Sequence, residues 1–250
     1  MSDMVSESCP QRYAFPPIVE VIFEVRIAGE ASAAKIKKAA DWLGGRYRNT
    51  VEEHQVEAKL HFANRSAEFT EKPSIYRLTN EDQTEELALS VSSCAWVRRA
   101  PYEGWEPFYD RISSELPNLM KAIAPVRIER LGLRYINRID VPMIDQIARY
   151  EDYLNFRIHT DDMLEPNVGF QWAIKKEYPN ERLSANVQSS LVQPEILGTI
   201  AFAFDIDVMT EAAVPQTERE ILAVLPTMRA IKNAIFEAGI TERARKLYAG

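Results

Sequence analysis

Arg127-Ile128-Glu129-Arg130-Leu131-Gly132-Leu133-Arg134-Tyr135-Ile136-Asn137-Arg138-Ile139-Asp140 is the stretch that decides the fold. Side chains of a β-strand alternate between the two faces of a sheet. Leu131, Leu133, Tyr135 and Ile139 therefore share an apolar face, while Arg130, Arg134, Arg138 and Asp140 share a charged one. One apolar and one polar face is the signature of an antiparallel sheet covered on a single side. Three arginines on one face need water, acids or an anionic partner, because an unpaired charge is costly to bury. This strand is the first candidate for a working surface.

The same alternation recurs along the chain. Residues 18–27 set Val19, Val21, Phe23, Val25 and Ile27 against Glu20, Ile22, Glu24 and Arg26. Residues 168–178, 182–192 and 197–208 repeat it, and shorter strands are expected near 55–62, 74–79, 86–92 and 94–98. Ser32 is placed to cap a helix that buries Ile36, Ala39, Ala40 and Leu43. Further helices are expected over about 107–123, near 147–155 and over about 216–238, with Pro117 and Pro226 bending the helices that hold them. The order strand, helix, about four strands, helix in 18–123 is echoed in 126–238. The sequence thus predicts an α+β protein of two similar β-α-β(3-4)-α units, residues 16–124 and 125–250, behind a flexible tail of 1–15. The units would join edge to edge into one antiparallel sheet, as in the TATA-binding-protein fold, or sit as adjacent lobes. An analogy at the level of the fold carries no function.

Composition narrows the classes. The chain has 250 residues, 46% hydrophobic and 27% charged, which excludes a disordered protein. Thirty-seven acids against 30 bases give a net charge of -7, which argues against general nucleic-acid binding. Neither a leader segment nor an apolar run of about 20 residues is visible, so a soluble, cytoplasmic protein without a membrane partner is expected. Cys9 and Cys94 form no disulfide framework, and Cys94 reads as a small core residue.

No motif of catalysis, phosphate binding or zinc ligation occurs, and His54, His61 and His159 have no ligand spacing. Asp205 and Asp207 share a strand face, but the neighbouring arginines oppose a cation, so no metal and no cofactor are expected. Ser90 to Ser93 reads as a half-exposed strand. Among the aromatic residues Trp96, Tyr102, Trp105, Phe108 and Tyr109, Phe108 reads as core. Tyr102 and Trp105 would close the core, cap a groove or meet a partner. The basic run Arg243-Ala244-Arg245-Lys246 reads as a solvated helix end.

Pro16-Pro17-Ile18-Val19-Glu20-Val21, Phe23-Glu24-Val25-Arg26 and Leu131 to Ile139 resemble the two signature segments of a sporadically distributed family of uncharacterised prokaryotic proteins. Residues 166–172 and Phe204-Asp205-Ile206-Asp207 are similar to that family as well, and the likeness spans about residues 13–240. It implies no reaction and no catalytic residues. Sporadic distribution implies a gene carried on mobile or defence-associated islands.

The function expected from these features is a non-enzymatic binding protein with a protein partner or an anionic ligand, in a prokaryotic defence or toxin–antitoxin system. Its binding residues would be Arg130, Arg134, Arg138, Glu20, Glu24, Gln171, Asp205 and Asp207, with Asn186 and Gln188 on the same face. Planar guanidinium groups suit carboxylates and phosphates. Gly132 would let a ligand or backbone approach, or mark a bulge. The alternatives are a ladder of structural ion pairs, a nucleic-acid-binding surface, or an enzyme for an anionic small molecule or nucleotide. In the last case Arg134 and Arg138 would be clamps, and Glu20, Glu24 or Asp205 the base.

Overall fold

The alternating segments pair into a single antiparallel sheet. The computed structural model describes residues 13–61, 66–145, 149–157 and 170–249. Within them lie strands β1 (Ile18–Ile27), β2 (Asn49–His61), β3 (Ser66–Thr79), β4 (Glu85–Leu89), β5 (Ser93–Arg99), β6 (Ile128–Pro142), β7 (Gln171–Tyr178), β8 (Leu183–Val192) and β9 (Thr199–Thr210). They run in the order β2-β3-β4-β5-β1-β6-β9-β8-β7. Helices α1 (Ala33–Leu43), α2 (Trp105–Ile123), α3 (Glu218–Gly239) and α4 (Glu242–Tyr248) complete an α+β fold. The sheet is continuous across the two halves of the chain, joined where β1 pairs with β6.

Register follows from burying one face. Across β1 and β6, Val21 faces Tyr135, Phe23 faces Leu133 and Val25 faces Leu131, and all six are buried. A slip of one residue would turn all of them to solvent. One hydrophobic cluster runs beneath the helices, from Phe23, Trp96, Ile112 and Leu116 to Tyr135, Phe202, Leu225 and Met228. Each such side chain contributes roughly 1.5–3 kcal/mol on burial. Ser32 caps α1 by accepting from the Lys35 amide, as its position predicts. Thr217 and Glu220 form a reciprocal capping box on α3. Cys94 is buried, and burial pushes its thiol up to about 12.

Several expectations are corrected. Residues 13–15 are not part of a free tail: the Tyr13 hydroxyl donates to Glu237 at 2.8 Å, and the Phe15 amide donates to the Tyr248 carbonyl. Residues 1–12 of the expected tail lie outside the described residues. The helix expected near 147–155 is a 3-10 turn at Tyr150–Asp152, with residues 146–148 outside the described set. The segment buries Tyr153 and Leu154, which are consecutive, and a helix would need that burial at i, i+3 or i+4. Strands β2 and β3 reach well beyond 55–62 and 74–79, where no clean alternation announces them. The basic run at 243–246 belongs to a separate helix, α4, capped by Thr241. There Arg243 pairs with Asp152 and Arg245 with Glu237. The prolines at 117 and 226 lie inside α2 and α3, where the sequence places them. Residues 158–169, with the acidic Asp161-Asp162 and the start of the expected strand at 168, lie outside the described residues. No helix among the described residues is long and apolar enough to cross a membrane.

Candidate functional site

The face of the sheet turned away from the core carries most of the residues expected to bind. Arg134 on β6 stands opposite Asp207 on β9, with Asn186 of β8 beyond it; Ile136 stands opposite Asp205, with Gln188 beyond. The Arg134 guanidinium reaches diagonally to fork Asp205, with Nε 2.9 Å from Oδ1 and Nη2 2.5 Å from Oδ2. Gln188 donates to the same Oδ2 at 2.7 Å. Arg130 bridges Glu24 at 2.8 Å and Asp207 at 2.5 Å. Arg138 meets Asp140 at 3.1 Å and Glu195 at 2.8 Å. Glu20 turns the other way, to Arg99 at 3.3 Å, into a chain that runs on through Glu86 and Arg77 to Glu53. Gln171 sits on edge strand β7, three strands from β6, and is not brought to the arginines.

All three arginines thus meet carboxylates of their own chain. The hydrogen bonds to Asp205 hold the Arg134 guanidinium above its usual range. Burial raises the Asp207 carboxyl, with Arg130 and Arg134 opposing. Asp205 and Asp207 are turned to guanidiniums, and among the described residues no group of three His, Cys, Asp or Glu side chains could hold a metal. An incoming anion would have to compete with these acids.

Gly132 has a local explanation. A Cβ there would lie 2.6 Å from Arg130 Nη1, because the guanidinium of Arg130 lies across the glycine on its way to Glu24 and Asp207. The close approach is made by the protein's own side chain. Gly132→Ala is expected to push Arg130 off this bridge and to cost about 1 kcal/mol, since the pairs are partly solvated. Urea unfolding of Gly132→Ala, Arg130→Ala and the double variant checks it: the two costs should not add.

The opposite, helix-covered side holds a cavity of about 490 Å³, a volume suited to a small ligand. Its floor is Ile18 of β1 with Tyr135 and Asn137 of β6, and its walls are the loop into α2 and the inner face of α3. Gly104, at φ +118°, turns that loop into α2 through a backbone region other residues rarely adopt. This places Tyr102 and Trp105 on the cavity. The Tyr102 and Tyr135 hydroxyls are 3.3 Å apart, and the Arg229 guanidinium lies 5.2 Å from the Trp105 ring centroid. Lys232, 6% exposed, sets its Nζ 4.0 Å from the Tyr135 ring centroid.

No hydrogen bond or ion pair engages the Lys232 ammonium among the described residues. Of the three acids lining the cavity, Glu237 accepts from Tyr13 and pairs with Arg245 at 2.9 Å, Glu103 pairs with Arg98 at 3.0 Å, and Glu106, at the start of α2, makes no ion pair with Lys232. Burial, then the Arg229 charge, pushes Lys232 down to about 7, with Glu237 opposing. Burial raises both Tyr102 and Tyr135, so the hydroxyl pair stays protonated at neutral pH. The cavity therefore offers a near-neutral amine, a guanidinium and phenolic donors, beside the Glu106 carboxylate at the start of α2.

Tyr102 and Trp105 were among the sequence candidates, whereas Lys232 and Arg229 were not. The signal was present: Ile221, Leu225 and Met228 form the buried stripe of α3, and the next slot, four residues on, is Lys232. No family model matches the chain, and no curated protein matches it in sequence.

Proposed function

We propose that the protein binds a small organic anion in the cleft between α2 and α3, held by Lys232 and Arg229. The observation that carries this conclusion is a buried lysine without an acid partner on the wall of a ligand-sized cavity. Burying a cation unpaired is costly, and sites with such perturbed groups are commonly binding or catalytic sites. We also infer an internal duplication of the TATA-binding-protein kind. In its support, each half places its first strand beside its last: β2-β3-β4-β5-β1 in one half and β7-β8-β9-β6 in the other. On that view the cleft sits over the junction of the repeats, between their closing helices. The resemblance to a sporadically distributed prokaryotic family supports a role in a defence or toxin–antitoxin locus, where the bound ligand would tune a protein partner.

A second proposal keeps the partner on the open sheet face. What favours it is Arg134, whose side chain stays 41% exposed while it forks Asp205. A thermal-shift titration separates the two, with pyruvate, citrate and inorganic phosphate as probes. A probe at 100-fold its Kd contributes about 2.7 kcal/mol, or roughly 5–10 °C in a chain of this size. That shift is expected to vanish in Arg229→Ala and survive in Arg134→Ala. The reverse pattern would move the site to the sheet face.

A further inference from the structure

Resting on that anion site, we propose that Lys232 forms a reversible imine with the carbonyl of a 2-oxo acid whose carboxylate is held by Arg229. The geometry is that of a carbonyl trap. The amine lines a cavity, lies over an aromatic ring at 4.0 Å, and has neither acid nor carbonyl engaging it among the described residues. An amine that is solvated or ion-paired keeps its proton and is inert. One that is desolvated beside another cation loses the proton and becomes a nucleophile. Among the groups facing Lys232, Arg229 on its own helix repels the ammonium, Tyr135 on β6 offers a ring face, Glu103 is paired with Arg98, and Glu106 of α2 lines the cavity without pairing to the amine. Glu237 is occupied by Tyr13 and Arg245.

The step balances without a co-reactant. The Nζ lone pair forms the C–N bond, and the carbonyl π pair moves to oxygen. Proton transfer gives a carbinolamine, and water leaves to give the imine. Nothing is oxidised or reduced. The protonated Tyr102–Tyr135 hydroxyl pair lines the same cavity and offers a donor to the developing alkoxide. Arg229 stands three residues from Lys232 on α3, one turn away on the same side of the helix, and so can hold the carboxylate while the carbonyl meets the amine. A 2-oxo acid carries both groups on adjacent carbons, and a simple aldehyde or a hydroxy acid carries only one of them.

The test uses pyruvate with cyanoborohydride on the intact chain at pH 7, followed by peptide mass mapping. Reduction would fix one 1-carboxyethyl group on the α3 peptide at Lys232, at least about tenfold faster than on exposed lysines, because an ordinary lysine is almost fully protonated at that pH. The terminal amine, which is also partly neutral, serves as the internal reference. L-Lactate, which has the carboxylate but no carbonyl, should slow the labelling without being trapped, and Arg229→Ala should slow it as well. Labelling spread over exposed lysines, or unchanged in Lys232→Met, overturns the imine. If pyruvate and lactate both raise the melting temperature but no adduct forms, the anion site stands and the imine falls. If neither binds, the anion site falls too.

Discussion

Lys232→Met is expected to stabilise the protein by roughly 2–4 kcal/mol at pH 6, once a cation–π contact of about 1–2 kcal/mol is subtracted from the cost of the buried charge. In a chain of this size that is about 4–16 °C in melting temperature. The cause is the depressed affinity of Lys232 for its proton, from an ordinary 10.5 to about 7 in the fold. Between these values the unfolded chain binds the proton and the native protein does not. Wild-type stability should therefore rise from about pH 7 towards pH 10, and stay low and flat below pH 7. The variant should lack the rise, so the two curves converge at high pH. The readable window closes near pH 10. There Tyr102 and Tyr135, whose hydroxyls burial holds above their ordinary values, begin to ionise in the unfolded chain. Thermal melts of both proteins from pH 5.5 to 9.5 provide the check. A lysine that lowers stability is understandable where it serves binding, since sites commonly trade stability for function.

Glu86→Ala should act in the opposite direction. The Glu86 side chain, 4% exposed, stands between Arg77 and Arg99 and joins β3, β4 and β5 on the open face. Removing it leaves two guanidiniums facing each other over an empty site. Breaking a buried pair costs about 3–5 kcal/mol. Both arginines are about 40% exposed, so water takes up part of the loss, and roughly 2–3 kcal/mol is expected. Burial raises the Glu86 carboxyl, but hydrogen bonds from Arg99 and Arg77 outweigh it, and the group sits below its ordinary 4.5. Its stabilisation is therefore complete above about pH 4.5 and fades as pH falls through the lower native value. Urea unfolding at pH 7 and near pH 3 should show a large difference that shrinks in acid. A difference independent of pH would mean the loss is one of packing.

Arg134→Ala and Arg138→Ala should be milder, within a few degrees of wild type, because these pairs are shared with water. Arg134→Ala should be the worse of the two: it leaves Asp205, 8% exposed, with Gln188 alone, whereas Arg138's partners Asp140 and Glu195 are 19% and 80% exposed.

Much of the sheet was legible because its strands bury one face. Val21, Phe23 and Val25 on β1, and Leu131, Leu133 and Tyr135 on β6, alternate cleanly and pair as the pattern requires. Where the sequence does not alternate the signal fails, as before residue 55 in β2 and before residue 74 in β3, a stretch that includes the exposed Phe69. The arginine face was legible in position but not in partnership. Register decides that Arg130 reaches Asp207 and that Arg134 reaches Asp205, and register is a property of two strands at once. Lys232 was hidden for a different reason: a lysine inside an apolar helical stripe is easily taken for a stem lying along the surface with its head in water. Only the packing of α3 against Tyr135 and the loop at Tyr102 closes the space around it.

The most direct test is a crystal structure of the protein soaked with pyruvate at pH 7.5. The expected result is density in the α2–α3 cleft, with a carboxylate at Arg229 and the ligand within bonding distance of Lys232 Nζ. An empty cleft in such a crystal, with the anion seated instead on Arg134 and Arg138, would contradict the assignment of the cleft as the binding site.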